Sequence, residues 1–210
     1  MCERPDAAWT AEFCLRPYNP YRLYGEPNPA FVHALDGRLL DFKDGRDTAI
    51  AAETQALAEA LEQLPLGRGT VLVIVPGHEA RPENDGTPLA RLAQGLAAAD
   101  ARYIARINAL IRTQTAGCRS RGGERTLQAS VGSLRVTDEA GIRGRVVVIL
   151  DDTVTTGNSV AAARCLLRGA GACRIAAVAL ARTVKYVSHG TRQTLIGSGG
   201  RHPDLGDRGR

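Results

Sequence analysis

The sequence predicts an α/β fold in which a parallel sheet is covered by helices on both faces. Three short apolar runs, Thr70 to Gly77, Val146 to Leu150 and Ile175 to Ala181, are typical of strands that are buried on both faces. Helical patterns alternate with these runs, and the clearest places apolar residues on one face of a helix from Asp47 to Leu64. Since parallel strands are joined by right-handed crossovers, their carboxyl ends meet at one edge, where such folds bind ligands.

The N-terminal third is less regular than the rest of the chain. Residues Arg16 to Ala30 are rich in Pro, Tyr and Asn, which predicts an extended or looped segment outside the core. From Phe31 to Phe42 apolar and polar residues alternate around Asp36-Gly37, a pattern that favours a β-hairpin closed by a tight turn. We expect this hairpin to belong to a small accessory element, or hood.

The later elements follow from shorter signals. Thr87 can cap a second helix that reaches Leu96, and a third helix is expected from about Ser159 to Leu167. The stretch from Tyr103 to Ile111 is compatible with either a strand or a helix. The chain therefore divides into an N-terminal accessory segment with the first helix, a core, and a flexible glycine-rich tail: residues 1–66, 67–186 and 187–210.

The composition is that of an ordinary globular protein, with 44% hydrophobic and 23% charged residues in 210. No run approaches the roughly 20 apolar residues of a membrane span, and Met1 to Thr10 lacks the apolar centre of a signal peptide, so we expect a cytoplasmic protein without membrane contact. The net charge of +5 comes almost wholly from arginine, which suits a polyanionic ligand or nucleic acid. The five cysteines show no CxxC spacing and are expected to be free thiols.

The segment VVVILDDTVTTGNS, from Val146 to Ser159, combines the features of a phosphosugar site. Asp151 and Asp152 leave the end of a buried strand, where carboxylates can accept hydrogen bonds from ribose hydroxyls. The following Thr-Thr-Gly-Asn-Ser run supplies hydroxyls, an amide and a glycine at the start of a helix, which is a favourable environment for a phosphate. The spacing matches neither a Walker motif nor a dinucleotide-binding motif.

Residues Val147 to Ser159 resemble the phosphoribosyl pyrophosphate signature of the type I phosphoribosyltransferases, except that Thr153 replaces an aliphatic residue. The resemblance implies that Asp151 and Asp152 act in catalysis by holding the ribose hydroxyls, and that they hold Mg²⁺ indirectly, through water or those hydroxyls. It also implies a loop that binds the 5′-phosphate of the substrate. The substrate-binding residues of this segment would be Thr153, Val154, Thr155, Thr156, Gly157, Asn158 and Ser159.

The resemblance covers about residues 68 to 185. By this likeness the turn after the first apolar run binds pyrophosphate through Pro76, Gly77 and His78. The chain is most similar to ComF-like proteins but lacks their cysteine-rich zinc module. The basic stretch from Arg112 to Arg125 would be a flexible loop that closes over the active site, with Arg112 and Arg125 as catalytic residues.

The function that this resemblance implies is transfer of a phosphoribosyl group from phosphoribosyl pyrophosphate to an unidentified base or amine, with Mg²⁺ and release of pyrophosphate. Thr155 stands where members acting on 6-oxopurines carry an aspartate base, so those acceptors are disfavoured. An alternative is a catalytically silent phosphoribosyl- or nucleotide-binding module in regulation, DNA uptake or defence, in contact with nucleic acid. A kinase-like or purely structural protein is a third reading. Because members of the family commonly dimerise, a homodimer is a further expectation.

Overall fold

The computed structural model describes residues 12–23, 26–115, 126–184 and 196–197. Its strands are β1 (Glu12–Tyr18), β2 (Arg22–Leu23), β3 (Glu26–Pro27), β4 (Thr70–Ile74), β5 (Tyr103–Ala105), β6 (Leu110–Arg112), β7 (Leu134–Val136), β8 (Val146–Val154), β9 (Arg174–Thr183) and β10 (Ile196–Gly197). Its helices are α1 (His33–Lys43), α2 (Asp47–Leu61), α3 (Pro88–Ala99), α4 (Leu127–Gly132), α5 (Glu139–Ile142) and α6 (Asn158–Gly169).

A six-stranded sheet with the order β10-β1-β9-β8-β4-β5 forms the centre of the fold. Strands β1, β9, β8, β4 and β5 are parallel, and β10 pairs antiparallel with β1 at one edge. The predicted α/β fold with a parallel sheet flanked by helices is confirmed. The three apolar runs became β4, β8 and β9, which lie side by side in the middle of the sheet.

Successive residues of β8 face opposite layers of helices, as the pleat of a strand requires. Val148 and Leu150 pack in the layer formed with α1, α2 and α3. Val147 and Ile149 pack in the other layer, against α5 and α6. All four side chains are fully buried, which explains why this run contains only Val, Ile and Leu.

The expectation of a looped N-terminal segment outside the core is wrong for β1. Its residues pair in parallel with β9 from Glu12↔Ala177 to Tyr18↔Thr183, and Cys14 and Leu15 are buried. Pro17 lies opposite Arg182 and does not prevent the pairing. The packing of β1 against β9 therefore overrides the loop signal of the surrounding proline residues.

The predicted hairpin from Phe31 to Phe42 is also wrong, because most of this stretch forms helix α1. Leu39 and Phe42, three residues apart, both enter the core, so packing of the helix outweighs the turn signal of Asp36-Gly37. The buried Asp36 carboxylate instead accepts hydrogen bonds from the backbone N–H groups of Asn19 (3.0 Å) and Val32 (2.8 Å). A small antiparallel hairpin does occur nearby, between β2 and β3.

A buried carboxylate joins β1, α1 and α2. Glu53 of α2 has no exposed side-chain surface and accepts two hydrogen bonds from Arg16 of β1, at 2.6 and 2.8 Å. The Nε of Arg38 of α1 lies 3.2 Å from the same carboxylate. Because a buried charge is costly unless it is paired, these contacts fix the position of α1 and α2 relative to the sheet.

Two sequence expectations concern the cysteines and the C-terminal tail. The expectation that all cysteines are free thiols is wrong for Cys173, which is disulfide-bonded to a partner outside the described residues. Cys14 and Cys165 are free. Apart from β10, the predicted tail 187–210 lies outside the described residues.

None of the helices in the described ranges has the length and apolar character needed to cross a membrane.

Candidate functional site

A cleft of 1590 Å³ opens at the carboxyl ends of β4 and β8. This is the edge at which ligands bind in parallel α/β sheets. The cleft brings together most residues of the predicted site, from the strand end, the phosphate loop and the turn after β4. The predicted site residues that line it are Asp151, Asp152, Thr153, Thr155, Thr156, Ser159, Pro76, Gly77, His78 and Arg112.

Asp151 and Asp152 lie within the last part of β8, where the sheet meets the cleft. Burial, and next the adjoining Asp152 carboxylate, raise the pKa of Asp151 well above its ordinary value. The backbone N–H groups of Asp152 and Thr153 and the ammonium of Lys43 act in the opposite direction. Two adjacent carboxylates at a solvent-reachable strand end are unfavourable for folding, so they point to a ligand-binding role.

The predicted phosphate loop connects β8 to α6. Gly157, the N-cap of α6, has φ 77°, a left-handed conformation that only glycine adopts readily. No side chain of the described residues caps this helix, so its first N–H groups can meet an anion. Thr155 is held in place from β9, because its hydroxyl lies 3.0 Å from that of Thr183.

Val154, Gly157 and Asn158 were predicted as substrate-binding residues, and they are not among the residues that line the cleft. Val154 is 1% exposed and packs in the core with α6. Gly157 and Asn158 form the start of α6. The backbone N–H groups at these positions remain a means of contact with a ligand.

The expectation that Arg112 lies in a flexible loop is wrong. Arg112 belongs to β6 and is 3% exposed. Its guanidinium donates to the carbonyl oxygens of Gly77 and of Pro76 (3.3 Å), and to the hydroxyl of Ser133 (2.5 Å). Arg112 therefore holds the turn after β4 in place through these hydrogen bonds. Arg125, the other predicted catalytic arginine, lies outside the described residues.

The turn after β4 is fixed next to the acid pair. The N–H of Val75 donates to the carbonyl of Leu150 at 2.8 Å, and the strand register, with Ile74 opposite Leu150, brings residues 75 and 76 beside residues 151 and 152. Pro76 is buried, whereas Gly77 and His78 are exposed to the cleft. A ligand bound to Asp151 and Asp152 can thus reach this turn.

Sequence reasoning predicted an N-terminal hood but named none of its residues that line the cleft. Tyr18 of β1, Arg22 of β2, and Phe42 and Lys43 of α1 line it. The Nζ of Lys43 lies 3.5 Å from a carboxylate oxygen of Asp152. The one available signal was compositional, since Lys43 is one of only two lysines in an arginine-rich chain.

The donor set fits a hard cation such as Mg²⁺, which prefers oxygen ligands and keeps several waters. Asp151 and Asp152 offer carboxylate oxygens, and Thr155 and Thr156 offer hydroxyls in the same cleft. Within the described ranges no cluster of three or more His, Cys, Asp or Glu side chains is present. A cation here would therefore take part of its coordination from the substrate and water.

A second cavity, of 530 Å³, lies between α2 and α3. Its walls combine apolar residues of these helices with polar and charged ones, including the ion pair of Asp47 and Arg91 (2.5 Å). It contains none of the predicted site residues. The chemistry-bearing side chains converge on the larger cleft instead.

A comparison with known protein families shows the family of the chain. The family model described as "Phosphoribosyl transferase domain" matches residues 88–192, half of the chain. The chain belongs to this family. The match contains Asp151, Asp152 and the phosphate loop, whereas the turn after β4 and the N-terminal residues of the cleft precede it. No curated protein matches the chain.

Proposed function

We propose that this protein is a Mg²⁺-dependent phosphoribosyltransferase that binds phosphoribosyl pyrophosphate in the cleft at the ends of β4 and β8. The observation that carries the proposal is the convergence of an acid pair, a phosphate loop and a turn in one cleft of a chain of the phosphoribosyl transferase domain family. The separation of these groups along the chain makes chance convergence a poor explanation. Fold alone would not support a function, but the site does.

The ribose and its phosphate are bound by β8 and α6. Asp151 and Asp152 accept hydrogen bonds from the ribose 2′- and 3′-hydroxyls, and the start of α6 binds the 5′-phosphate through backbone N–H groups and the hydroxyls of Thr155 to Ser159. The raised pKa of Asp151 is compatible with this role, because hydroxyl donors and a nearby cation both favour the ionised carboxylate.

The leaving pyrophosphate lies at the turn after β4. Gly77 and His78 face it, and Arg112 acts as a positioning residue because its guanidinium holds the carbonyls of residues 76 and 77. Bound Mg²⁺ would neutralise negative charge on the pyrophosphate as the bond to the anomeric carbon breaks. The fixed turn and the helix N-terminus need no reorganisation during this step, which is how preorganised dipoles lower a barrier.

The acceptor is a base or an amine that enters from the side lined by the N-terminal segment. Thr155 offers a hydroxyl, already hydrogen-bonded to Thr183, where members acting on 6-oxopurines carry an aspartate base. This supports an acceptor other than a 6-oxopurine. The nearly buried aromatic residues Tyr18 and Phe42 are among the residues that line the cleft.

Release of pyrophosphate tests the proposal. Wild-type protein, phosphoribosyl pyrophosphate and Mg²⁺ should be incubated with a panel of bases and amines. We expect release that depends on one acceptor class, and a loss of at least about 100-fold for the Asp151→Asn/Asp152→Asn variant, since several charge-assisted hydrogen bonds are removed. Tight binding of phosphoribosyl pyrophosphate, with no release of pyrophosphate in the presence of any acceptor, would instead indicate the silent binding module. Equal release by the variant would contradict the roles of both residues.

A further inference from the structure

Lys43 is delivered to the cleft by a firmly anchored helix. It is the last residue of α1, whose Leu39 and Phe42 are buried and whose Arg38 contacts the buried Glu53. A cation at a helix C-terminus is favoured by the helix dipole. The position of the Lys43 backbone is therefore set by the core rather than by a surface loop.

The ammonium of Lys43 lies at the acid pair, and the turn that would hold pyrophosphate follows the neighbouring strand β4. It is 3.5 Å from Asp152, and the turn after β4 starts directly beside Asp151, because Val75 donates to Leu150. Lys43, Asp152 and the residues Gly77 and His78 all line the same cleft.

Arg112 and Arg81, which also line the cleft, have shorter polar contacts than Lys43. Arg112 donates to the carbonyls of the turn and to Ser133, and Arg81 forms an ion pair of 2.7 Å with Glu79. The contact of Lys43 with Asp152 is longer, and 39% of the lysine side chain is exposed. A partly exposed ion pair of this kind contributes little, so redirecting the ammonium to a phosphate oxygen costs little.

We propose that Lys43 is a pyrophosphate-binding residue. Its ion pair with Asp152 holds the ammonium at the acid pair, within reach of the leaving group. The inference rests on the proposed function and deepens it. A compact ammonium on a flexible stem can follow a phosphate group as it departs, whereas a guanidinium fixed by several hydrogen bonds cannot. The N-terminal segment thereby supplies a charge to the reaction and does more than shape the cleft.

The test compares two ligands that differ in the pyrophosphate group. Phosphoribosyl pyrophosphate and ribose 5-phosphate are titrated calorimetrically, each with Mg²⁺, into the wild type and the Lys43→Met and Lys43→Arg variants. We expect Lys43→Met to weaken phosphoribosyl pyrophosphate about tenfold and ribose 5-phosphate less than about twofold. Lys43→Arg keeps the charge and should recover most of the affinity.

Arg46→Met is the matched control, because Arg46 lies three residues further along the chain, is 66% exposed and pairs with Asp41 outside the cleft. It should leave both affinities unchanged. Equal losses for the two ligands in Lys43→Met, or no loss for either, would overturn the inference while wild-type binding upheld the proposed function. Failure of the wild type to bind phosphoribosyl pyrophosphate would overturn both.

Discussion

The segment β8–α6–β9 and the segment β1–α1–α2 both reach the cleft, but they are held in place by different forces. The first is fixed by parallel strand pairing and by an apolar core that alternates across the sheet. The second depends in addition on a buried charge, since Glu53 joins Arg16 and Arg38. The first carries its functional residues in one contiguous run, whereas the second assembles them from separated elements.

The family model begins at residue 88, whereas the cleft also includes residues of the N-terminal segment and of the turn after β4. Under the proposed function, the phosphoribosyl group binds in the segment that the family model covers. The N-terminal segment supplies the opposite wall through Tyr18, Phe42 and Lys43. We infer that substrate activation and acceptor choice are divided between the two segments.

The largest effect is expected for Glu53→Gln. This change leaves Arg16 and Arg38 without their buried carboxylate, and loss of one partner of a buried ion pair costs about 3 kcal/mol. Urea unfolding should show this decrease in the free energy of unfolding. Glu62→Gln is the control, because Glu62 is 71% exposed and lies 3.9 Å from Arg102, so it should cost less than about 0.5 kcal/mol. Similar losses in the two variants would mean that the charge does not anchor the N-terminal segment.

Gly157→Ala should affect the other segment by about 1–2 kcal/mol, because φ 77° is strained for any residue with a Cβ. A Cβ at this position would also lie 3.4 Å from a carboxylate oxygen of Glu12. We expect lower thermal stability and weaker binding of ribose 5-phosphate, measured by calorimetry. Gly132→Ala is the control, since Gly132 lies in α4 with open space around it and should tolerate the change. Unchanged binding by Gly157→Ala would contradict the role of the loop.

Asp151→Asn should raise the melting temperature at neutral pH. Burial and the Asp152 carboxylate raise the native pKa of Asp151, so the native state resists ionisation that the unfolded chain undergoes freely. The stability from this group is complete below the unfolded pKa of about 4 and is lost as the pH rises through the raised native pKa. The gain of the variant should therefore fade on acidification below about pH 4. A lower melting temperature for the variant at neutral pH would contradict this account of the acid pair.

Thr153→Val should have the smallest effect. The hydroxyl of Thr153 is buried and has no hydrogen-bond partner among the described residues, so an isosteric apolar side chain removes an unsatisfied group. We expect a gain of up to about 1 kcal/mol in urea unfolding, with substrate affinity unchanged. A drop in affinity would show that this hydroxyl contacts the ligand.

The central strands and most of the acid-pair site could be predicted because their signals are local. Leu150 is followed at once by Asp151, and Thr87 caps α3 through a side-chain hydrogen bond to the N–H of Ala90, at 3.3 Å, as its sequence position suggested. The contribution of α1 to the cleft could not be predicted in the same way. Asp36-Gly37 has the local signature of a turn, and only the packing of Leu39 and Phe42 on the sheet makes this stretch helical.

The loop predicted for Arg112 was wrong for a related reason. Its neighbours in sequence are polar and basic, which favours a loop, but its place in the fold depends on the carbonyls of residues 76 and 77 and on Ser133. No local pattern connects these positions, since they are separated by 35, 36 and 21 residues from Arg112. A supporting role beneath the turn therefore becomes visible only in the folded chain.

Calorimetric titration of phosphoribosyl pyrophosphate with Mg²⁺ is the most direct test of the central claim. The wild type should bind with a dissociation constant on the order of micromolar, about −8 kcal/mol. The Asp151→Asn/Asp152→Asn variant should remain folded by circular dichroism and lose this binding. A folded wild-type protein that does not bind, or a variant that binds equally well, would contradict the assignment of the cleft.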